Sequence, residues 1–118
     1  MLFRSESGNK VDVRWLAVRA PDGAGLLIVG DPVFSGSALN VSDDDIDYSP
    51  EHQLHSADVQ PRNVTVVHVD LKQMGLGGDD SWRSTAHPAS LIWPQRYQYS
   101  FTLRPIHAGE DANSLARQ

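Results

Sequence analysis

Residues 97–104 read Tyr97-Gln-Tyr-Ser-Phe-Thr-Leu-Arg104. Tyr97, Tyr99, Phe101 and Leu103 alternate with Gln98, Ser100, Thr102 and Arg104. A period of two puts one set on each side of an extended chain, so this stretch predicts a β-strand with one apolar face. The same period recurs in Lys10-Val-Asp-Val-Arg-Trp-Leu-Ala-Val-Arg19, with Val11, Val13, Trp15 and Ala17 on one side and Asp12 and Arg14 on the other. Pro21-Asp22-Gly23 then supplies turn chemistry: proline pre-sets φ and Asp-Gly tolerates positive φ. The apolar run Gly25-Leu-Leu-Ile-Val-Gly30 comes next, which predicts a hairpin with a buried second strand.

Further strands are expected at 34–41, at 64–70 (Val-Thr-Val-Val-His-Val-Asp, rich in β-branched residues) and at 90–93. Ser42 followed by Asp43, Asp44 and Asp45 favours a helix start, because a serine caps and acids oppose the helix dipole. Pro50 interrupts that helix, so two short helical turns are expected there. Beyond Pro105 the composition turns polar, and 106–118 is expected to be a flexible, frayed tail. The fold class is all-β.

The 118 residues form at most one domain with one modest core. A net charge of −5 gives no basic footprint for nucleic acid. No apolar run approaches the roughly 18 residues of a membrane span, and the polar start does not resemble a signal peptide. The absence of cysteine excludes disulfides, thiolate metal sites and cysteine nucleophiles. The cytoplasm is the compartment expected.

The chemistry-bearing stretch is Gln73-Met-Gly-Leu-Gly-Gly-Asp-Asp-Ser-Trp82. Gly75, Gly77 and Gly78 give the backbone freedom, and Trp82 carries a flat indole suited to stacking on a sugar ring. Asp79 and Asp80 invite a glycosidase reading, since that chemistry needs two carboxylates about 5–5.5 Å or about 6.5–9.5 Å apart. Adjacent residues on one loop point in different directions, so both are read as supports of the loop. Ser81 has no base partner legible from sequence. Asp43, Asp45 and Asp47 imitate the start of a calcium loop, but Tyr48 and Leu54 stand where glycine and glutamate are required. His52 and His55 lack a third ligand at a suggestive spacing, so no metal site is expected. His68, within a strand, is read as a hydrogen-bonded core or interface residue, and Trp15 as core.

Residues 73–82, the later 97–105 and the earlier Ser5-Glu-Ser-Gly-Asn-Lys-Val-Asp-Val-Arg-Trp15 together resemble, in order, the C-terminal end of the large β-galactosidases of glycoside hydrolase family 2. The resemblance covers roughly residues 3–105. It implies that 1–105 is the second half of the last domain, an antiparallel β-sandwich that is part of a galactose-mutarotase-like supersandwich. It also implies that the catalytic carboxylates, with Mg²⁺ and Na⁺, lie in a (β/α)8 barrel this sequence does not contain. No cofactor is therefore expected in this chain. By motif position, Trp82 would stack on the aglycone sugar of a β-galactoside such as lactose, with Gly75, Gly77, Gly78, Asp79, Asp80 and Ser81 shaping its loop. The implied partners are that sugar and the remainder of the β-galactosidase chain. Arg83 and the run His87-Pro-Ala-Ser90 depart from the family pattern. The alternative is a free-standing, lectin-like module using Trp82. A half-sandwich alone is also expected to self-associate through its exposed sheet.

Overall fold

The computed structural model describes residues 8–46, 59–73 and 86–118. β1 (Lys10–Arg19) and β2 (Gly25–Leu39) form the expected antiparallel hairpin, with Arg19 opposite Gly25 and Leu16 opposite Ile28. Its turn closes through the Ala20 amide on the Ala24 carbonyl (2.8 Å) and the Gly23 amide on the Ala20 carbonyl (2.9 Å). Asp22 accepts from the Ala24 amide at 2.9 Å, and Gly23 takes φ +93°, the left-handed conformation that favours glycine.

β2 is the spine of the sheet. It runs unbroken for 15 residues, where the sequence predicts two strands separated around Pro32. The Asp31–Pro32 bond is cis, and the strand resumes pairing beyond it. β1 occupies one edge of β2. The other edge is shared by β4 (Ser100–Ile106), opposite residues 25–31, and β3 (Val66–Asp70), opposite residues 35–39. All pairings are antiparallel, so the described residues form one four-stranded antiparallel sheet and the chain is all-β in class.

Four expectations are corrected. Val11 is 70 % exposed and does not join the face of Trp15, because the β1–β2 register shifts between Lys10 and Val13 and again before Trp15. Asp12, at φ 54°, sits within that irregularity, and a bulge changes which side the residues before it face. Residues 90–93 are not a strand: Pro88–Ser90 makes a 3₁₀ turn started by its proline, and Trp93 is exposed. The strand expected at 97–104 is displaced to Ser100–Ile106.

The fourth concerns the C-terminal segment, which packs onto the sheet. After the turn at Gly109 (φ +82°), α2 (Ala112–Ala116) starts on Asp111, whose carboxylate accepts from the Ser114 amide (3.0 Å) and hydroxyl (2.6 Å). Those bonds hold the Asp111 carboxyl below its ordinary range. Ala112 joins Leu27 and Ile106 in the buried core, with Trp15, Ala17, Val29, Leu115 and Ala116 packed around them. The Arg19 guanidinium ties this segment to the hairpin turn, donating to the carbonyls of Gly23 (2.7 Å), His107 (3.5 Å) and Glu110.

The first helical turn is present as α1 (Asp43–Ile46). Asp45 reaches back to Ser42, accepting from its amide (2.8 Å) and hydroxyl (2.9 Å), and pairs with Arg62. The Arg62 guanidinium first, then the Ser42 amide, hold the Asp45 carboxyl at about 2, against an ordinary 3.8. A depressed folded-state value stabilises above the unfolded value, and that contribution is lost as pH falls through the folded one. The melting difference between the native chain and Asp45→Asn is therefore expected above about pH 4, and to vanish toward pH 2. An unchanged difference between pH 5 and pH 2 would contradict the role of this clasp. The second expected turn, with Pro50, lies outside the described residues.

Candidate functional site

An open cleft of about 540 Å³ lies across the end of the sheet where β2 passes from β4 to β3. Its floor is residues 31–35, with Phe34 and Ser35 buried. The β1 irregularity at Val11 and Asp12 forms one wall. Residues 71–73 (leaving β3), 89–92, and Gln98 with Tyr99 (leading into β4) complete it. Its volume falls within the range of small-molecule sites.

The cleft is lined by aliphatic residues and the rings of Phe34 and Tyr99, with carboxylates at Asp12 and Asp31, amides at Gln73 and Gln98, hydroxyls at Ser35 and Ser90, and the Lys72 ammonium among them. Asp31 accepts from the Ser100 hydroxyl at 3.1 Å, joining the cleft to the start of β4. The Tyr99 hydroxyl donates to the Val69 carbonyl at 3.1 Å, pinning the ring across from β3 toward β4. Tyr99 also lies 5.9 Å, centroid to centroid, from the Phe101 ring. The Gln73 amide donates to Asp70 at 3.4 Å, and the Lys72 ammonium stands 6.0 Å from the Tyr97 ring centroid. Acceptors at Asp12 and Asp31, donors at Lys72 and Gln98, and an apolar aromatic surface are the groups that engage a polyhydroxylated ring. No motif in the sequence marks these residues as a site. The one local signal is Asp31-Pro32, polar and unable to donate, set inside an apolar run.

Gly75, Gly77, Gly78, Asp79, Asp80, Ser81 and Trp82 lie outside the described residues, as do His52 and His55. What is described is where the chain departs and returns: residues 71–73 and 89–92 on either side of that segment line the same cleft. Trp15 packs against the core, as its place in an alternating strand predicts. His68 lies in β3 opposite Ser37, half-buried. Asp45 is committed to Ser42 and Arg62. Among the described residues no group of three or more histidine, cysteine, aspartate or glutamate side chains stands close enough to hold a metal ion, and no helix is long and apolar enough to cross a membrane.

A family model described as "Beta galactosidase small chain" matches residues 2–103. A β-galactosidase of Priestia megaterium is 41% identical over 103 residues, covering 86% of this chain and 10% of the relative. One from Vibrio cholerae serotype O1 is 35% identical over 103 residues (87% and 9%), and one from Alteromonas mediterranea 32% over 101 residues (86% and 9%). The chain thus spans about a tenth of the length of these curated relatives.

Proposed function

The chain belongs to the β-galactosidase small-chain family, and from that premise we propose that it is a sugar-binding domain of a β-galactosidase which leaves bond cleavage to polypeptide outside these 118 residues. In this reading Trp82 stacks on the aglycone sugar, and Gly75, Gly77, Gly78, Asp79, Asp80 and Ser81 shape the loop that carries it. The observation supporting it is that both described flanks of that segment line one cleft furnished with hydroxyl-binding groups. An indole meeting a pyranose offers an apolar face to the ring's C–H groups, while carboxylates and amides at the margin take its hydroxyls.

The work of this domain is then positional. It holds the leaving-group sugar in one orientation, and a sugar so held presents its glycosidic oxygen in a constant place to the catalytic groups. Asp79 and Asp80, read as loop supports, take no part in proton transfer.

Two outcomes test this. The isolated chain is expected to show no turnover of a chromogenic β-galactoside; turnover abolished by Asp79→Asn or Asp80→Asn would overturn the division of labour. In the β-galactosidase that contains this chain, Trp82→Ala is expected to weaken aglycone binding about fivefold, since aromatic stacking contributes on the order of 1 kcal/mol. Unchanged inhibition by glucose in that variant would remove Trp82 from the site.

A further inference from the structure

The cleft is larger than one sugar ring needs. Sites of about 300–1,000 Å³ take drug-sized ligands, a class above a single hexose, and this one holds about 540 Å³. It also has an aromatic ring of its own, separate from Trp82. The Tyr99 hydroxyl donates to the Val69 carbonyl at 3.1 Å, which fixes the far end of the ring, and the Phe101 ring lies 5.9 Å to its side. Tyr99 is nevertheless 42% exposed. A ring already held in place and open to solvent loses little conformational entropy when a sugar stacks on it.

Hydrogen-bonding groups stand around that ring. Asp31 accepts from the Ser100 hydroxyl at 3.1 Å, and a carboxylate has about four acceptor sites, so capacity for ligand hydroxyls remains. Asp12 adds further acceptors, Gln98 an amide, and Lys72 an ammonium. We propose, building on the assignment of Trp82 above, that this cleft binds a second sugar unit of the aglycone, next to the ring assigned to Trp82. The domain then favours β-galactosides whose leaving group is a disaccharide or longer.

Placement and chemistry both support this occupant. Residues 71–73 and 89–92 bracket the segment that carries Trp82 and line the cleft from both sides, so the cleft adjoins the root of that segment. An alkyl or aryl aglycone would desolvate Asp12 and Asp31 without giving them hydrogen bonds, which is costly. A phosphorylated or acidic sugar would meet two carboxylates against one ammonium. A neutral polyhydroxylated ring satisfies the carboxylates through its hydroxyls and Tyr99 through its C–H face.

Inhibition of the β-galactosidase that contains this chain by glucose, and by cellobiose (a glucose carrying one further glucose), tests the assignment. Cellobiose is expected to bind about tenfold more tightly than glucose, the worth of one stacking contact and one hydrogen bond. Tyr99→Leu is expected to abolish that preference and Asp31→Ala to reduce it about threefold, each leaving glucose inhibition unchanged. The ratio of the two constants within one variant is independent of how much of the protein is folded. Equal inhibition by the two sugars in the native protein would overturn the proposal. So would a preference that survives both substitutions, or a Tyr99→Leu variant that weakens both sugars alike. Trp82→Ala reports separately: unchanged glucose inhibition there removes the Trp82 reading, whatever the cleft variants do.

Discussion

Phe34→Ala is expected to destabilise the domain by about 3–5 kcal/mol, the range for emptying a large buried aromatic site. Phe34 is 1% exposed and among the largest fully buried side chains described. Its ring occupies space left by two glycines of its own strand. A Cβ at Gly36 would stand 2.7 Å from the Phe34 Cε2, and one at Gly30 would stand 3.0 Å from Cδ1. With no side chain at either position, little is nearby to collapse into the void, so the upper part of the range is expected. Chemical denaturation reads the effect. A midpoint within a few tenths of a molar of the native value would show that the site relaxes. Because Phe34 also floors the cleft, ligand binding should weaken in the same variant even where it remains folded.

Gly25→Ala is expected to be comparably severe by the opposite mechanism. The added Cβ would fall 1.9 Å from the Val18 carbonyl oxygen and 2.8 Å from the Arg19 Cα. Both are backbone atoms of the paired strand, so no rotamer relieves the overlap. Overpacking of this kind costs about 1–3 kcal/mol when side chains can yield, and more is expected where only backbone is met. Gly25 is also the residue at which β2 pairs with Arg19 on one side and Ile106 on the other. The variant should therefore lose amide protection at the ends of both β1 and β4. Native-like protection at Val18 and Ile106 would show that the hairpin accommodates the methyl group.

The hairpin is legible in the sequence from Trp15 to Ile28, because alternation and turn chemistry are local properties, while the register shifts before Trp15 that turn Val11 outward are not. β2 reads as two pieces because proline interrupts a ladder hydrogen bond, yet the pairing of its flanks with β4 and β3 carries the strand across. The C-terminal helix does have a signal in the sequence: Asp111 stands ready to cap, and Ala112, Leu115 and Ala116 come after it at one-face spacing. The polar composition around it outweighs a five-residue pattern whose worth depends on having a sheet to pack against. The cleft is illegible for a related reason. Asp12, Asp31, Lys72 and Tyr99 are far apart in sequence and meet only through strand pairing.

The amino-acid sequence by itself determined the all-β class, the hairpin and its turn, and membership of a β-galactosidase family, since a period of two and an ordered set of motifs are written along the chain. Only the tertiary structure decided which face of each strand is inside. Tyr97, Tyr99, Phe101 and Leu103 look like a core face when read along one strand, yet Tyr99, Phe101 and Leu103 are all well exposed. Alternation distinguishes two sides without ranking them. α2 packs on the side of Leu27 and Ile106, while on the other side Ile28 is buried and Leu26, Phe101 and Leu103 stay exposed.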